Sequence, residues 1–148
     1  MGGSDMSDAS APVPGACLCR EVQFEVRLPT LFCGHCHCSM CRRNHGAAYV
    51  TWFRLPKDQL RIVEGGSRLA VYQSSQHATR SFCSVCGSSL FFEIDDSPDT
   101  IDVVLANMDG AIDMAPVAHI HYDDAVAWVS MDDTLPRLGG EDGIQPLE

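Results

Sequence analysis

The cysteines constrain this chain more than any other feature of its sequence. Seven of the eight lie in three short groups: Cys17 and Cys19; Cys36, Cys38 and Cys41; Cys83 and Cys86. Residues i and i+2 of an extended segment point to the same side, so a C-x-C pair can offer two thiolates to one ion, and a C-x-x-C knuckle can offer two more. The chain is therefore expected to fold around bound metal.

The three groups divide into one complete and one incomplete ligand set. The first pair needs distant partners, and Cys83 and Cys86 supply them, with Gly87 able to take a positive φ beside the sulfurs. The middle group offers three thiolates from a single loop. Four protein ligands are typical of a structural zinc and three of a reactive one, and an all-sulfur shell favours zinc. We therefore predict two zinc ions per chain, with iron–sulfur ligation or redox disulfides as the alternatives.

Three further residues lie beside the middle group. Cys33 fits neither ligand set, and we interpret it as a small buried side chain, with completion of the second set as the alternative. His35 and His37 flank or interrupt the loop. A histidine in such a place more often orients a ligand or faces solvent than binds the ion, but either could supply the fourth ligand.

The hydrophobic pattern predicts a mainly β fold. Apolar and polar residues alternate over Val22 to Val26, which is typical of a half-buried strand. A short turn of helix is expected after Cys38, and the fold class is two packed antiparallel sheets. Further strand candidates, separated by turn residues, are Ala47 to Phe53, Leu60 to Glu64, Leu69 to Gln73, Ser88 to Ile94, Thr100 to Leu105 and Val117 to His121.

The chain of 148 residues is long enough for one domain. Gly, Ser, Asp, Ala and Pro dominate the start, which predicts a disordered tail over residues 1–14. The domain is then expected over residues 15–138, with a loose Gly- and acid-rich tail over residues 139–148.

Charge and targeting signals narrow the possible partners. A formal charge of −10 disfavours nucleic acid and anionic membrane surfaces. No stretch reaches the roughly 18 apolar residues of a membrane span, and the start lacks the features of a signal peptide. The expected location is the cytoplasm, where clustered cysteines usually hold metal rather than form disulfides.

The motifs together resemble those of the glutathione-dependent formaldehyde-activating enzyme family, whose relatives include centromere protein V. The matching segments are Gly15 to Cys19, Cys36 to Arg43 with Gly46-Ala47, Phe82 to Ser88, and the closing residues His119-Ile120, Trp128 and Leu135-Pro136. The resemblance implies a two-sheet zinc-β fold with a structural and a reactive zinc on the two ligand sets defined above. Departures occur at Arg20, where the family usually has Gly, and at Asn44-His45.

The incomplete ligand set suggests thiol chemistry. A zinc that already holds three anionic sulfurs is a weak Lewis acid, but it suits a further thiolate. Cys36, Cys38 and Cys41 are therefore the candidate catalytic residues, and the expected substrates are a small-molecule thiol such as glutathione and an aldehyde, or their adduct. The resemblance implies the activity of a carbon–sulfur lyase or synthase, similar to S-(hydroxymethyl)glutathione synthase, and thiol chemistry at this cluster is compatible with it.

Candidate substrate-binding residues lie next to the cysteines in sequence. Glutathione carries two carboxylates, which favours Arg42, Arg43 and Arg80 as cationic contacts. His45 is included as a group that can move protons near neutral pH, a property shared by His77 and His121. Core packing is expected for the aromatic residues Trp52, Phe53, Phe91, Phe92 and Trp128, with a pocket wall as the alternative for Trp52 alone.

Two other classes of function fit the same residues. A zinc-stiffened binding module would have its second zinc saturated by protein ligands. A thiol-based redox or metal sensor would release zinc under mild oxidation. The sequence gives no oligomeric state.

Overall fold

The computed structural model describes residues 11–147 and confirms the mainly β prediction. Within that range it contains one α-helix, α1 at Ser39–His45. The strands are β1 Val13–Ala16, β2 Gln23–Val26, β3 Phe32–Cys36, β4 Val50–Pro56, β5 Leu60–Glu64, β6 Leu69–Ser75, β7 Ala78–Cys83, β8 Ser89–Ile94, β9 Thr100–Val104, β10 His119–Ile120, β11 Leu138–Gly139 and β12 Gln145–Pro146.

The strands form a small and a large sheet, and a short hairpin. The small sheet has the order β1-β2-β5, and the large one the order β10-β3-β4-β9-β8-β7-β6, while β11 pairs with β12. All neighbouring strands are antiparallel except β10, which lies parallel to β3. The prediction of packed antiparallel sheets is therefore confirmed.

The core lies between the small and the large sheet. Phe24 of β2 packs edge-on against Phe91 of β8, with ring centroids 5.0 Å apart. Phe53, Leu55 and other side chains of the large sheet that point to the same side complete a buried cluster. Full burial of each such side chain stabilises the fold by about 1.5–3 kcal/mol. One face of the large sheet is thus committed to the core, which leaves the opposite face for a site.

Two strands, β3 and β7, were not predicted from hydrophobic alternation. The sequence of β3 is FCGHC, which the cysteine spacing assigns to a metal-binding loop. β7 contains Arg80 and Ser81, which are both buried although they are polar. Because hydrophobic alternation assigns polar residues to the solvent side, it cannot detect a strand whose buried positions are polar.

Regular structure extends beyond the predicted limits of the domain. Val13 lies in β1 and pairs with Val26, although residues 1–14 are assigned to a tail. The hairpin of β11 and β12 lies mainly in the segment assigned to a loose end, and Gly140 N–H donates to Asp123 Oδ2 at 2.9 Å. Residues 1–10 lie outside the described range. The domain limits themselves stay a prediction.

Trp128 contradicts the expectation that it packs in the core. Its side chain is 75% exposed. It lies between β10 and β11, in a segment that belongs to neither the small nor the large sheet, so no facing sheet covers the indole.

Among residues 11–147, no helix has the length and apolar character needed to cross a bilayer.

Candidate metal centres

Four cysteine sulfurs from two distant parts of the chain meet at one point. The Sγ atoms of Cys17, Cys19, Cys83 and Cys86 all lie within 4.8 Å of one another. Cys19 Sγ is 3.6 Å from Cys17 Sγ and 3.8 Å from Cys83 Sγ. A tetrahedral zinc with bonds of about 2.3 Å would hold its sulfurs about 3.8 Å apart. These four residues, the four-cysteine cluster, therefore fit one tetrahedral ion.

Tight turns bring the two pairs of this cluster together. Gly87 has a φ of 82° and donates its N–H to Cys83 O at 2.8 Å, which closes the C-x-x-C turn. Val85 N–H donates to Cys83 Sγ at 3.4 Å. Backbone donors to a sulfur favour its thiolate form, which is the form that binds metal.

Arg20 shows how the chain accommodates a residue where the family usually has Gly. Its backbone keeps a left-handed conformation, with a φ of 67°. Its N–H donates to Cys17 O at 3.1 Å, and its guanidinium pairs with Asp109 at 2.6 Å. The left-handed turn thus forms despite the strain that a side chain brings there, and the side chain lies at the surface beside the cluster.

The second group of sulfurs lies where β3 leads into α1. The Sγ atoms of Cys36, Cys38 and Cys41 lie within 4.8 Å of one another, and no further ligand atom from the described residues joins them. Cys38 is the N-cap of α1, and its Sγ accepts the N–H of Cys41 at 3.2 Å. Gly46 ends the helix with a φ of 63°. The C-x-x-C spacing therefore places two sulfurs within one helical turn, and the end of β3 adds the third.

The thiols of these residues, the three-cysteine cluster, differ in pKa. Hydrogen bonds from Cys36 and Cys41 hold the pKa of Cys38 well below its ordinary value. The hydrogen bond to Cys38 raises the pKa of Cys36 in turn. These shifts favour the thiolate form at the half-buried Cys38, which is the form that binds a metal cation.

A pocket of about 360 Å³ opens directly above the three-cysteine cluster. All three cysteines line it, and so do Trp52 and Phe92, for which core packing is the default expectation. Trp52 is nevertheless buried, in a cluster with Cys36 and Cys41. The pocket lies on the face of the large sheet that points away from the core. Residues from the loop after β8 and from the β11–β12 hairpin complete its rim, including Asp96, Asp142 and Ile144. A small molecule in this pocket would contact the sulfurs directly.

A row of directly opposed residues crosses the pocket floor. Arg80 on β7 faces Phe92 on β8, which faces Asp102 on β9, which faces Arg54 on β4. Arg54 and Asp102 form a two-pronged ion pair, with Nε to Oδ1 at 2.8 Å and Nη2 to Oδ2 at 3.2 Å. The four residues alternate cation, ring, anion and cation across neighbouring strands. Hydrophobic alternation assigns such positions no function, so the sequence argument missed Arg54 and Asp102.

Arg80 contacts the cluster itself. It is only 5% exposed, and both Nη atoms lie 3.7 Å from Cys41 Sγ. Its guanidinium also lies over the ring of Phe92, with Cζ 4.9 Å from the centroid. Among the arginines predicted to bind substrate, Arg80 is thus placed in the pocket and faces a sulfur.

The other predicted substrate contacts lie elsewhere. Arg43 is exposed and lines a separate depression that Arg80 also reaches. Arg42 and His45 are half-buried, and neither lines the pocket above the cluster. Burial lowers the pKa of His45 to about 4, and its ring packs edge-on against Trp52 with centroids 5.3 Å apart. Arg42, Arg43 and His45 therefore remain predictions as substrate-binding residues.

The histidines beside the loop form a network on the other side of β3. His37 Nε2 lies 2.9 Å from His119 Nδ1, and His119 Nε2 lies 3.0 Å from Asp133. Arg137 donates to the same carboxylate at 2.9 Å. His35 lies 2.8 Å from Thr51 Oγ1 through its Nδ1. Neither His35 nor His37 joins the three sulfurs. Through His119 and Asp133, His37 instead links the loop that carries the cysteines to the C-terminal part of the chain.

Cys33 also lies away from the cluster. It is fully buried in the core, and burial raises its pKa to about 11. Cys33 and Cys36 are three positions apart on the same strand, so the two side chains point to opposite faces. The interpretation of Cys33 as a small buried side chain is confirmed.

Comparisons with known proteins agree with this arrangement. Residues 12–124 match the family described as glutathione-dependent formaldehyde-activating enzyme. A Halomonas elongata protein that carries this name provisionally is 26% identical over 126 residues, or 80% of each chain. A crystal structure of a Rhodobacter sphaeroides protein from a structural genomics programme superposes with a TM-score of 0.57 at 29% identity, and covers 68% of this chain and 91% of that chain.

Two fungal relatives match over about half of the chain. A Podospora anserina protein with the same provisional name is 31% identical over 81 residues, which are 53% of this chain and 38% of the relative. A protein of Schizosaccharomyces pombe named as an uncharacterised lyase is 31% identical over 80 residues, which are 53% and 55% of the two chains. The matched segments thus span well under two thirds of both fungal proteins. Because the family match covers most of the chain and includes both cysteine clusters, this protein belongs to the glutathione-dependent formaldehyde-activating enzyme family.

Proposed function

We propose that this protein is a carbon–sulfur lyase or synthase that acts on adducts of a thiol with an aldehyde. The observation that carries this proposal is the convergence of Cys36, Cys38 and Cys41 at the floor of an open pocket. The four-cysteine cluster does not line that pocket. A closed set of four sulfurs is typical of a structural ion, and an incomplete set beside a cavity is typical of a reactive one.

The donor chemistry fits zinc at both clusters. When bound at the three-cysteine cluster, zinc supplies a positive centre that favours the thiolate form of a substrate thiol. Cys36, Cys38 and Cys41 would hold this centre with three sulfurs, whose total negative charge would disfavour hydroxide formation and thus hydrolysis. Arg80 places a buried positive charge against Cys41 Sγ, which stabilises the anionic cluster.

The proposed reaction balances within the pocket. In the synthetic direction the thiol sulfur gives an electron pair to the aldehyde carbon, so one C–S bond forms and the carbonyl π bond breaks. The thiol proton ends on the former carbonyl oxygen. His121 lines the pocket, and we assign one of its ring nitrogens to carry that proton. The reverse sequence cleaves the C–S bond and restores the thiol and the aldehyde.

Exchange NMR tests this proposal because it measures both directions at equilibrium. Carbon-13 formaldehyde would be mixed with a thiol, and magnetisation transfer between free and thiol-bound carbon would be followed with the zinc-loaded protein. The family name makes glutathione the first thiol to test, with benzyl mercaptan as a second. The wild-type protein should raise the exchange rate above the uncatalysed rate for at least one thiol, and Cys38→Ser should not.

The matched control is Cys33→Ser, which changes a cysteine outside both clusters. If this variant folds, it should keep the exchange activity. Exchange that equals the uncatalysed rate for both thiols would contradict the proposal. In that case a saturated second zinc would favour the binding module, and zinc release by mild oxidant would favour the sensor.

Two finer features are part of the same proposal. Zinc is supported as the metal by the all-sulfur donor sets, whereas the family name makes glutathione a thiol to be tested rather than the assigned substrate. A cytoplasmic location is supported by eight cysteines that are all within the described residues and all free of disulfides.

A further inference from the structure

We infer that the thiol accepted by this pocket carries an apolar group and no carboxylate, and is therefore not glutathione. This inference rests on the proposed function and specifies its substrate class. It follows from three properties of the pocket: the engagement of its cations, the charge of its rim and the chemistry of its walls.

The cations of the pocket are already engaged. Among the described residues, Arg54 and Arg80 are the arginine and lysine side chains that line it. Arg54 directs Nε and Nη2 at the carboxylate of Asp102, within 3.2 Å. Arg80 directs both Nη atoms at Cys41 Sγ and packs its guanidinium on Phe92. Glutathione has two carboxylates, and the pocket wall offers neither of them an uncommitted guanidinium or ammonium group.

The rim of the pocket is acidic. Asp96 follows β8, and Asp142 lies in the turn between β11 and β12. Both residues are exposed and neither forms an ion pair in the described part of the chain. With Asp102, three carboxylates stand against two guanidinium groups. A ligand with net negative charge is repelled at this entrance, an effect that salt weakens because the rim is exposed.

The walls of the pocket are mainly apolar. Trp52 and Phe92 present aromatic surfaces next to the three cysteines, and their ring centroids are 5.9 Å apart. Ile94, Ile120 and Ile144 add aliphatic surface. A tripeptide would leave several amide and charged groups against these side chains without partners, at a cost for each group. A phenyl or alkyl group on the thiol would instead be removed from water there.

Calorimetric titration of the zinc-loaded protein tests the inference with two defined thiols. Benzyl mercaptan supplies an apolar group without charge, and glutathione supplies two carboxylates on a similar primary thiol. Benzyl mercaptan should bind at least about tenfold more tightly, which is the effect expected from burial of one phenyl group. Both titrations would be repeated with Cys38→Ser to confirm that the heat arises at the three-cysteine cluster.

The outcomes separate this inference from the proposed function. Tighter binding of benzyl mercaptan that requires Cys38 supports both. Glutathione binding of equal or greater strength that also requires Cys38 would overturn the inference and leave the proposed function in place. Absence of Cys38-dependent binding for either thiol would overturn both.

A pair of variants on one loop tests the contribution of the rim. Asp142→Asn removes a charge from the pocket entrance, and its Oδ1 can still accept the N–H of Ile144, now 3.1 Å away. Glu141→Gln removes the same charge from the neighbouring exposed residue, which does not line the pocket. At low salt, Asp142→Asn should strengthen glutathione binding about two- to fivefold and leave benzyl mercaptan unchanged. An equal effect of both variants, or no effect, would contradict the role of the rim.

Discussion

Replacement of Arg80 by Met should weaken metal binding at the three-cysteine cluster and leave the four-cysteine cluster unchanged. Arg80 is buried, and both Nη atoms lie 3.7 Å from Cys41 Sγ. The hydrogen bond with Cys36 lowers the pKa of Cys41, but the hydrogen bond with Cys38 and burial raise it above its ordinary value, and the guanidinium charge of Arg80 opposes that rise. Loss of this charge therefore makes the anionic cluster harder to form.

The magnitude follows from the contacts. A hydrogen bond that involves a charged group contributes about 1.5–3 kcal/mol, and about 1.4 kcal/mol corresponds to a factor of ten. The zinc affinity of this cluster should therefore fall about 10- to 100-fold, the range found when residues that support a metal ligand are changed. Fold stability should change little, because Met has a similar length and because Arg80 Nε is buried without a hydrogen-bond partner among the described residues.

Competition with a chromophoric zinc chelator would measure this effect, since it resolves two zinc equivalents of different affinity. Arg43→Met is the matched control, because Arg43 is an exposed arginine of α1 that does not line the pocket. The variant Arg80→Met should shift one equivalent, and Arg43→Met should shift neither. Equal weakening of both equivalents by Arg80→Met, or of neither, would refute the reasoning.

Three further predictions concern stability and reactivity. Cys83→Ser should lower the melting temperature far more than Cys38→Ser, because Cys83 is a fully buried member of the four-cysteine cluster; equal losses in thermal denaturation would contradict this division. Gly65→Ala should destabilise the fold by more than about 1–2 kcal/mol in urea denaturation, since Gly65 has a φ of 76° and an added Cβ would lie 1.9 Å from Glu21 O; a change below about 0.5 kcal/mol would show that the turn relaxes. Cys33 should resist alkylation at pH 8 in the folded protein, because a pKa of about 11 leaves roughly one thiolate in a thousand; labelling at the rate of a free thiol, measured by mass spectrometry, would contradict its burial.

Cysteine spacing was sufficient to predict the two clusters. The C-x-C and C-x-x-C groups are local patterns whose geometry follows from extended strands and tight turns, so the sequence determines which sulfurs point together within each group. The four ligands that a structural zinc needs then joined the first pair to the last. The structure brings together the same four and the same three cysteines. The prediction of a short helix after Cys38 also held, because Cys38 acts as its N-cap.

The pocket could not be predicted in the same way. Its floor comes from residues that are distant in sequence but adjacent in register, such as Arg54 opposite Asp102 and Arg80 opposite Phe92. Strand order decides these pairs, and no local pattern encodes strand order. The predicted substrate-binding arginines illustrate this. Arg42 and Arg43 directly follow Cys41 in sequence but do not line the pocket. Arg80 is far from Cys41 along the chain but contacts the sulfur of Cys41.

The network around His37 was also outside the reach of sequence reasoning. Adjacent residues of an extended segment point to opposite faces, so His37 had to leave the side of Cys36 and Cys38. Its partners His119 and Asp133 come from the C-terminal part of the chain. The sequence favours a histidine that orients a ligand or faces solvent, and only the tertiary contact shows that the imidazole of His37 is paired with His119.

Native mass spectrometry of the zinc-loaded protein, with and without excess thiol, tests most directly the claim that one cluster is closed and the other accepts a substrate thiol. Two zinc ions should be present without thiol, and one added thiol, from benzyl mercaptan or glutathione, should then appear on the wild-type chain and be absent from Cys38→Ser. Two zinc ions with neither thiol bound, or an adduct that persists in Cys38→Ser, would contradict the account.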